Sequence, residues 1–377
     1  MKAAVFYKYG SPDVISVAEI EKPAPKDGEV LIQVKAASVN AYDWHLIRAK
    51  PFFTRFISGI LKPKNNIIGA DIAGVVVSAG NGASRFIQGG IEGGIQGGTQ
   101  GGIQGGTQGG IEGGIEGGIQ GGKQGGKQGG TQGGIQGGIE GDEVYCCLEG
   151  CGKGGLAVGG FAEYVCAKET SCAPKSALLS FEEAAALPMA SVTALQALRD
   201  VAKLKQGQSV LINGASGGVG MFAVQIAKAF GAEATAVCST ESVDIVREIG
   251  AGYIVDYTKE SVAECGKQFD VVVDVAATLS VKNYRSLLKP NGICVVIGFS
   301  TIGHMISYSH AGIRDGKKIK LCAANNRNSA DLLEINKLVE AGQLKVIIDS
   351  LYSLGETAEA IRRAETGRPK GKIVIKV

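Results

Sequence analysis

The chain has no uninterrupted apolar stretch long enough to span a membrane, and its first residues, MKAAVFYKYG, are too interrupted for a secretory signal. It also has no concentrated cluster of Lys and Arg: 39 basic and 36 acidic residues leave a formal charge of +3, so a nucleic-acid footprint is not expected. The nine cysteines show no disulfide-framework spacing, and their odd number leaves one unpaired. These absences predict a cytoplasmic protein with reduced thiols that binds neither nucleic acid nor membrane.

The most informative segment is GQSVLINGASGGVGMFAVQIAK, residues 207–228. An apolar strand runs through a glycine-rich turn into an amphipathic helix, whose N-terminus offers N–H groups and a positive dipole end to a pyrophosphate. Because the glycines lie between a strand and a helix, the segment predicts a dinucleotide site. The cofactor-binding residues that it predicts are Gly214, Ala215, Ser216, Gly217, Gly218, Val219 and Gly220.

The same segment resembles the signature of zinc-independent quinone oxidoreductases, the zeta-crystallin-like branch of the medium-chain dehydrogenase/reductases. The positions of that signature are filled by Gly207, Gln208, Leu211, Ala215, Ser216, Gly217, Gly218, Gly220, Gln225 and Lys228. The resemblance implies an α/β fold that combines a GroES-like β-rich catalytic domain with a Rossmann doubly wound parallel sheet. Relatives commonly form dimers, so a homodimer is also implied.

Hydrophobic periodicity agrees with this fold. Strand and helix patterns alternate after the glycine turn, which indicates a doubly wound parallel sheet. We predict a catalytic domain over residues 1–86 and 139–195 and a cofactor domain over 196–325. Residues 326–377 are predicted to return to the catalytic domain, as the resemblance implies.

Residues 87–138 interrupt the pattern with thirteen consecutive tetrads of the form xxGG. Half of this tract is glycine, whose backbone entropy opposes a fixed conformation, so we predict a disordered insertion in a surface loop. A host fold tolerates such an insertion because closure entropy grows slowly with loop length. The alternative is a set of stacked strands with Gln ladders, which the strict alternation would allow.

The choice of cofactor depends on the second strand of the cofactor domain, because an acid at its end binds the ribose 2′-hydroxyl and favours NAD. Here that strand, ATAVCST, ends in the hydroxyl side chains of Ser239 and Thr240, which predicts NADPH. Glu241 and Asp244 follow closely and keep NADH as the alternative. The resemblance places Tyr257 near the same phosphate, with packing over the adenine as its alternative role.

Zinc-dependent relatives carry a Cys ligand after the strand that corresponds to VKAAS and a GHE motif about thirty residues later. This chain has Ser38, Val39 and Asn40 at the first place and Gly69, Ala70 and Asp71 at the second. The group formed by Cys146, Cys147 and Cys151 has no nearby fourth cysteine, so it does not match a structural zinc site. No metal is therefore predicted.

The resemblance also predicts where hydride transfer takes place. The VNxxD segment supplies Asn40 as a contact to the nicotinamide ribose or the substrate oxygen, and the TAxxAL segment supplies Thr193 at the nicotinamide end. Gly298, Phe299 and Asn328 are further implied cofactor contacts. The alternative for Asn40 is to cap a turn, and the alternative for Thr193 is to cross-link a helix.

Without zinc, hydrogen-bond donors have to stabilise the negative charge that builds up on the substrate oxygen. The predicted catalytic donors are Asn40, Tyr42 and His45, whereas Asp43 is expected to make structural hydrogen bonds. An apolar cluster follows these residues in the sequence, and it either lines a substrate mouth or forms a packed loop or a subunit contact; its residues are Phe52, Phe53, Phe56, Ile57 and Ile60.

These features predict an NADPH-dependent, zinc-independent oxidoreductase that transfers hydride to a quinone or an α,β-unsaturated carbonyl. An alcohol dehydrogenase or an enoyl-thioester reductase of the same fold is the nearest alternative. A cofactor-binding structural or assembly protein is an alternative of another class. Tyr164 and Lys168 have the dyad spacing of short-chain dehydrogenases, but they precede the glycine motif inside a predicted strand, so we interpret that spacing as coincidence.

Overall fold

Two main β-sheets organise the part of the chain that the computed structural model describes. That part comprises residues 1–50, 52, 54–83, 141–148, 159–297, 316–322, 325 and 329–377. The predictions for the repeat tract 87–138, for Cys151 and Phe53, and for Gly298, Phe299 and Asn328 fall outside it.

The first main sheet has seven strands and is largely antiparallel. A separate two-stranded ribbon, β1 (Lys2–Val5) with β2 (Ser16–Glu19), precedes it in the chain. The strands of the main sheet are β3 (Glu29–Val39), β4 (Asp71–Ala79), β5 (Glu143–Cys147), β6 (Tyr164–Lys168), β7 (Cys172–Pro174), β14 (Ile348–Ser353) and β15 (Lys372–Lys376). Their order is β14-β15-β3-β4-β5-β7, and β6 pairs with β3. Strand β15 from the C-terminal part of the chain therefore lies directly beside β3.

The second main sheet consists of six parallel strands. They are β8 (Ser209–Asn213), β9 (Glu233–Cys238), β10 (Tyr253–Asp256), β11 (Phe269–Asp274), β12 (Leu288–Ile297) and β13 (Lys318–Cys322). Their order is β10-β9-β8-β11-β12-β13, which is the 3-2-1-4-5-6 order of a Rossmann fold. In such sheets ligands bind beyond the carboxyl ends of the strands where the order reverses, here between β8 and β11. The predicted α/β fold class is confirmed.

Helices cover both sheets. They are α1 (Ala41–Arg48), α2 (Thr54–Ser58), α3 (Phe181–Ala186), α4 (Pro188–Gln196), α5 (Gly218–Ala229), α6 (Val243–Glu248), α7 (Val281–Leu287), α8 (Ala330–Glu340) and α9 (Thr357–Glu365), with a π-helical turn over Ala197–Ala202. Short 3-10 helices span Pro12–Val14, Glu169–Ser171, Thr240–Ser242, Val262–Glu264 and Leu354–Glu356. Within the described ranges, no helix has the length and apolarity needed to cross a bilayer.

Helix α5 forms part of the largest core cluster among the described residues, and it is enclosed on all sides because every residue from Gly220 to Ala227 is buried. Phe222, Val224 and Ile226 are fully buried and share this cluster with Val210 and Ile212 of β8. Full burial of side chains of this size contributes about 1.5–3 kcal/mol each to folding. The glycine turn between β8 and α5 is therefore held at both ends by core packing.

The interpretation of Tyr164 and Lys168 can be compared directly with the fold. Tyr164 and Lys168 lie at the two ends of β6, where four residues of extended chain separate their Cα atoms by about 13 Å. They do not form a helical dyad, so the interpretation of their spacing as coincidence is confirmed. Residues 181–196 form two helices, α3 and α4, because Pro188 starts a new helix.

Candidate active site

The glycine turn has the geometry that a pyrophosphate requires. Gly214 adopts a φ of +84°, which residues with a side chain rarely adopt. A Cβ atom on Gly220 would lie 2.0 Å from the carbonyl oxygen of Gly214, so only glycine lets α5 approach the turn this closely. A Cβ atom on Gly217 would meet only the carbonyl oxygen of Gly214, at an ordinary 3.5 Å. The side of the turn that Gly217 faces is therefore open. This open cradle at the start of α5, where the N–H groups of the first turn have no intrahelical acceptor, fits the pyrophosphate.

A buried carboxylate fixes the strand ends beside this turn. Asp274 at the end of β11 is fully buried and accepts hydrogen bonds from Asn213 Nδ2 at 2.8 Å and from the Tyr284 hydroxyl at 2.6 Å. It also accepts one from the backbone N–H of Ala277 at 2.8 Å. The sequence analysis missed this residue, although an acid at the end of the apolar run FDVVVD was a usable signal. Its role is to join the ends of β8 and β11 at the predicted cleft.

The tip of the second strand, where the ribose 2′ position is expected, carries more acid than the sequence suggested. Thr240 Oγ1 donates to Asp256 Oδ2 at 2.5 Å and lies 2.8 Å from the hydroxyl of Thr258. Asp256 ends β10 and pairs in register with Cys238 at the end of β9. The hydrogen bonds from Thr240 and Thr258 hold the pKa of Asp256 below its ordinary value, so the carboxyl is ionised.

The other residues predicted at this tip lie close by. Ser239 Oγ is 3.4 Å from the hydroxyl of Ser242. Tyr257 is exposed, and its backbone N–H donates to the carbonyl of Cys238 at 3.1 Å, which keeps it beside the tip. Strand β9 itself ends without an acid, as the sequence analysis stated. The neighbouring strand supplies one instead, and that signal stood next to Tyr257 in the VDYTKE segment.

Asn40 lies in a buried polar cluster, which we call the Lys372 cluster and which comprises Ser38, Asn40, Asp71 and Lys372. Lys372 Nζ donates to Asn40 Oδ1 at 2.6 Å and lies 3.9 Å from Asp71 Oδ2. Asn40 Nδ2 donates to the same Asp71 oxygen at 3.0 Å, and Ser38 Oγ donates to it at 3.3 Å. Both ends of the Asn40 carboxamide are thereby engaged, so its orientation is fixed.

Burial dominates the electrostatics of the cluster. It raises the pKa of Asp71 and lowers that of Lys372, although their mutual attraction opposes both changes. Asp71 additionally accepts hydrogen bonds to its two oxygens from the backbone N–H of Met189 at the start of α4, at 3.1 and 3.2 Å. The sequence analysis missed Lys372, and a lysine within the apolar run GKIVIKV was the available signal.

Asp43 makes structural hydrogen bonds, as expected. One of its oxygens accepts the backbone N–H of Asn40 at 2.7 Å and thereby fixes the start of α1, and the other accepts the N–H of Gly69 at 3.1 Å. Burial raises the pKa of Asp43 to about 7. Asp43 therefore holds α1 and the chain before β4 together beneath Asn40.

The two other predicted donors lie on α1. Tyr42 is half-buried and packs against the core of the first sheet. His45 stacks on Trp44 and shares a 2.7 Å hydrogen bond between its Nδ1 and the carbonyl of Lys50, so Nδ1 carries a proton. Burial lowers the pKa of His45, which favours the neutral ring. In that ring Nε2 accepts a hydrogen bond rather than donating one.

Thr193 is buried on α4, and its hydroxyl donates to the carbonyl of Met189 at 2.6 Å, one helical turn earlier. This contact corresponds to the alternative role of cross-linking a helix, and the hydroxyl oxygen can still accept a hydrogen bond. In the predicted apolar cluster, Phe52, Phe56 and Ile60 are exposed.

The two places where zinc-dependent relatives carry ligands are adjacent in space, because Ser38 and Asp71 are hydrogen-bonded. Among the described residues, no group of three or more His, Cys, Asp or Glu side chains is arranged to hold a metal ion. The ammonium group of Lys372 lies beside Asp71 instead, and a divalent cation there would face a like charge.

Comparisons with known proteins agree with this geometry. A family model described as alcohol dehydrogenase GroES-like domain matches residues 26–91, and one described as zinc-binding dehydrogenase matches residues 249–375. The chain is 28% identical to the chloroplast envelope quinone oxidoreductase homolog of Arabidopsis thaliana, over 100% of this chain and 98% of that protein. It is 27% identical to the chloroplastic NADPH-dependent alkenal/one oxidoreductase of the same plant, over 100% and 79%. The solved structure of the quinone oxidoreductase from Coxiella burnetii has a TM-score of 0.76 at 26% identity, covering 100% of this chain and 99% of that one.

A Rossmann sheet with its glycine turn next to a GroES-like sheet defines an NAD(P)H-dependent oxidoreductase. The nicotinamide cofactor supplies the hydride in this class of enzyme. The chain belongs to the medium-chain dehydrogenase/reductase superfamily, in its quinone oxidoreductase branch.

Proposed function

We propose that the protein transfers hydride from NADPH to a quinone or an α,β-unsaturated carbonyl compound without the help of a zinc ion. The observation that carries the proposal is the buried ammonium group of Lys372, 3.9 Å from Asp71, in the region where zinc-dependent relatives bind their metal. Quinones and enones accept hydride readily, whereas simple alcohol oxidation ordinarily needs a metal to acidify the hydroxyl. The printed names of the two Arabidopsis relatives point to the same substrate classes.

The reduced nicotinamide, when bound, supplies the hydride. The protein has to position the acceptor and stabilise the oxygen on which negative charge develops. Asn40 is half-buried, and we propose that its fixed carboxamide contacts the cofactor or the substrate. The hydroxyl of Tyr42 and the solvent are the sources of the final proton that we propose, because the neutral ring of His45 accepts hydrogen bonds at Nε2.

The preference for NADPH rests on the strand tip. Ser239 and Thr240 provide hydroxyl groups, and the ammonium groups of Lys259 and Lys370 lie within 3.3 and 3.5 Å of acids at the same tip. A 2′-phosphate would attract these two cations. The carboxylate of Asp256 opposes the phosphate, so we propose that NADPH is preferred but NADH is also accepted.

The first assay measures NADPH oxidation with a benzoquinone, an enone and an enoyl thioester as acceptors. The second assay measures NADP⁺ reduction with a primary alcohol as the hydride donor. We expect turnover of the quinone and the enone, and the same rates after exhaustive treatment with a chelator. Asn40→Ala should reduce turnover at least tenfold, whereas Asn81→Ala, at an exposed turn, should not. Turnover of only the alcohol or the thioester would favour the alternative enzymes, and tight NADPH binding without any turnover would favour a structural or assembly protein.

The cytoplasmic location, the possible homodimer, the domain boundaries and the surface-loop character of the repeat tract stay predictions. Fractionation of the source cells and the mass of the protein in solution test the first two.

A further inference from the structure

Lys372 of the Lys372 cluster also lies against the glycine turn. Its residue neighbour Gly371 forms a parallel bridge with Gly217, at the start of α5. A Cβ atom built on Gly218 would lie 3.0 Å from Lys372 Cδ, so the aliphatic stem of the lysine lies directly across this glycine. The ammonium at the other end of the stem reaches Asn40 Oδ1 at 2.6 Å.

The backbone at this point is held firmly. The N–H of Lys372 donates to the carbonyl of Ile347 at 2.9 Å, and Gly371 adopts a φ of +119°. A Cβ atom on Gly371 would lie 2.4 Å from the same carbonyl oxygen, so only glycine fits here. The start of β15 is thus fixed between the turn and the first sheet, and a movement of the turn displaces the lysine stem.

The charge of Lys372 explains why Asn40 has one orientation. A carboxamide can rotate by 180° and exchange its oxygen and nitrogen, and the neighbours decide which arrangement is stable. Lys372 only donates hydrogen bonds, whereas the ionised form of Asp71 only accepts them. In the observed orientation the ammonium group of Lys372 contacts Oδ1 and the carboxylate of Asp71 contacts Nδ2. The rotated carboxamide would place its N–H donors against the ammonium group and its acceptor oxygen against the carboxylate.

We propose that Lys372 is a positioning residue that links the glycine turn to Asn40, so that occupation of the turn by the pyrophosphate is transmitted to the carboxamide at the hydride site. The effect of Lys372 on hydride transfer rests on the proposed function. The connection from the glycine turn through Lys372 to Asn40 does not depend on which reaction the protein catalyses. The residue acts through Asn40 rather than on the substrate.

The first experiment observes the link without turnover. The side-chain amide of Asn40 is followed by NMR in the full-length protein labelled with ¹⁵N-asparagine, and its signal is assigned from its loss in Asn40→Ala. The probe is 2′-phospho-ADP, which carries a pyrophosphate but neither the second ribose nor the nicotinamide. We expect the probe to shift the Asn40 signal in the wild type and to leave it unshifted in Lys372→Met.

The matched control is Lys376→Met, on the same strand, because Lys376 is exposed and its ammonium group lies 3.8 Å from Glu182. It should behave like the wild type. If Lys372→Met does not fold, Asp71→Asn/Lys372→Met replaces it, because the double variant removes both buried charges together. An Asn40 signal that does not respond to the probe in the wild type, or that responds equally in Lys372→Met, would overturn the proposal.

The second experiment is a double-mutant cycle on single-turnover hydride transfer. We expect Lys372→Met and Asn40→Ala each to slow the step about tenfold while the Kd for NADPH changes less than about threefold. The double variant should be no more than about twofold slower than Asn40→Ala, because both changes act on one group. A multiplicative, about hundredfold loss would show that Lys372 acts independently of Asn40. If the wild type turns over no acceptor, the proposed function fails, and the NMR experiment still decides on the link.

Discussion

Replacement of Gly220 by alanine is the sharpest test of the cofactor site. The new Cβ would lie 2.0 Å from the carbonyl oxygen of Gly214 and 2.8 Å from Ala215 Cα, both backbone atoms. An ordinary contact needs about 3.4 Å, so α5 and the turn have to separate by more than 1 Å. Overpacking of this kind costs about 1–3 kcal/mol or more. Because the displaced backbone is the pyrophosphate cradle itself, the Kd for NADPH should rise at least about tenfold.

The assay is calorimetric titration with NADPH, together with thermal unfolding with and without the cofactor. Gly220→Ala should lower the unfolding temperature and lose most of the stabilisation that NADPH gives to the wild type. Gly355→Ala is the matched control, because a Cβ there would meet only Ser353 Oγ, at an ordinary 3.7 Å. A Gly220→Ala protein that binds NADPH as tightly as the wild type would refute the assignment of this turn as the cofactor site.

Three further predictions concern the rest of the chain. Asp256→Asn removes the negative charge bonded to the Thr240 hydroxyl, so the NADPH-to-NADH ratio of kcat/KM should rise about fivefold or more. The control Asp27→Asn, at an exposed turn before β3, should leave this ratio unchanged. An unchanged ratio in Asp256→Asn would contradict the role of its carboxylate. Deletion of residues 87–138 should leave NADPH affinity and turnover within about twofold of the wild-type values, because the antiparallel neighbours β4 and β5 can be joined by a short loop. A large loss of either quantity would show that the tract belongs to the active fold. Asp43 has a folded pKa of about 7 against an ordinary 3.8, so the folded state binds this proton more tightly. The contribution of Asp43 to the unfolding free energy should therefore fall between about pH 4 and pH 7, by at most about 1.4 kcal/mol per pH unit. Denaturant titrations of the wild type and Asp43→Asn would contradict this if their difference stayed constant over that range; the titratable groups that face Asp43, Asp71 and Lys372, are the same in both proteins.

The sequence indicates the glycine turn because the signals of that turn are local. Gly214, Gly217 and Gly220 all lie within one turn between a strand and a helix. Their spacing alone therefore indicates the tight turn, the side that is open to the pyrophosphate and the close approach of the helix. Alternating strands and helices indicate a doubly wound parallel sheet in the same way, but they do not determine its strand order.

The other half depends on contacts between distant parts of the chain. Asn40 and Lys372 are 332 residues apart, and they meet only because β15 pairs with β3 in one particular register. Asp256 reaches Thr240 because two parallel strands end at the same level. The pattern of a single segment does not show how β15 aligns with β3 or how β10 aligns with β9. The sequence therefore indicated Asn40 and Thr240 but not the charged residues that contact them. The helix α1 that carries Tyr42 and His45 was not predicted either, although Asn40 as its N-cap and Asp43 three residues later are a local signal for its start.

The pairing of β15 with β3 also has a consequence for how the protein is made. The strand that supplies Lys372 is synthesised long after the strand that leads to Asn40. At about 5–20 residues per second, the 332 residues from position 41 to Lys372 take roughly 17–66 s to translate. During that time Asn40 and Asp71 are present but the ammonium group of Lys372 is not. The part of the central strand β3 that later pairs with β15 is also an unpaired strand edge. The nascent chain therefore passes through a period in which the hydride half of the site is incomplete and exposed to pairing with other chains, and addition of β15 ends both conditions at once.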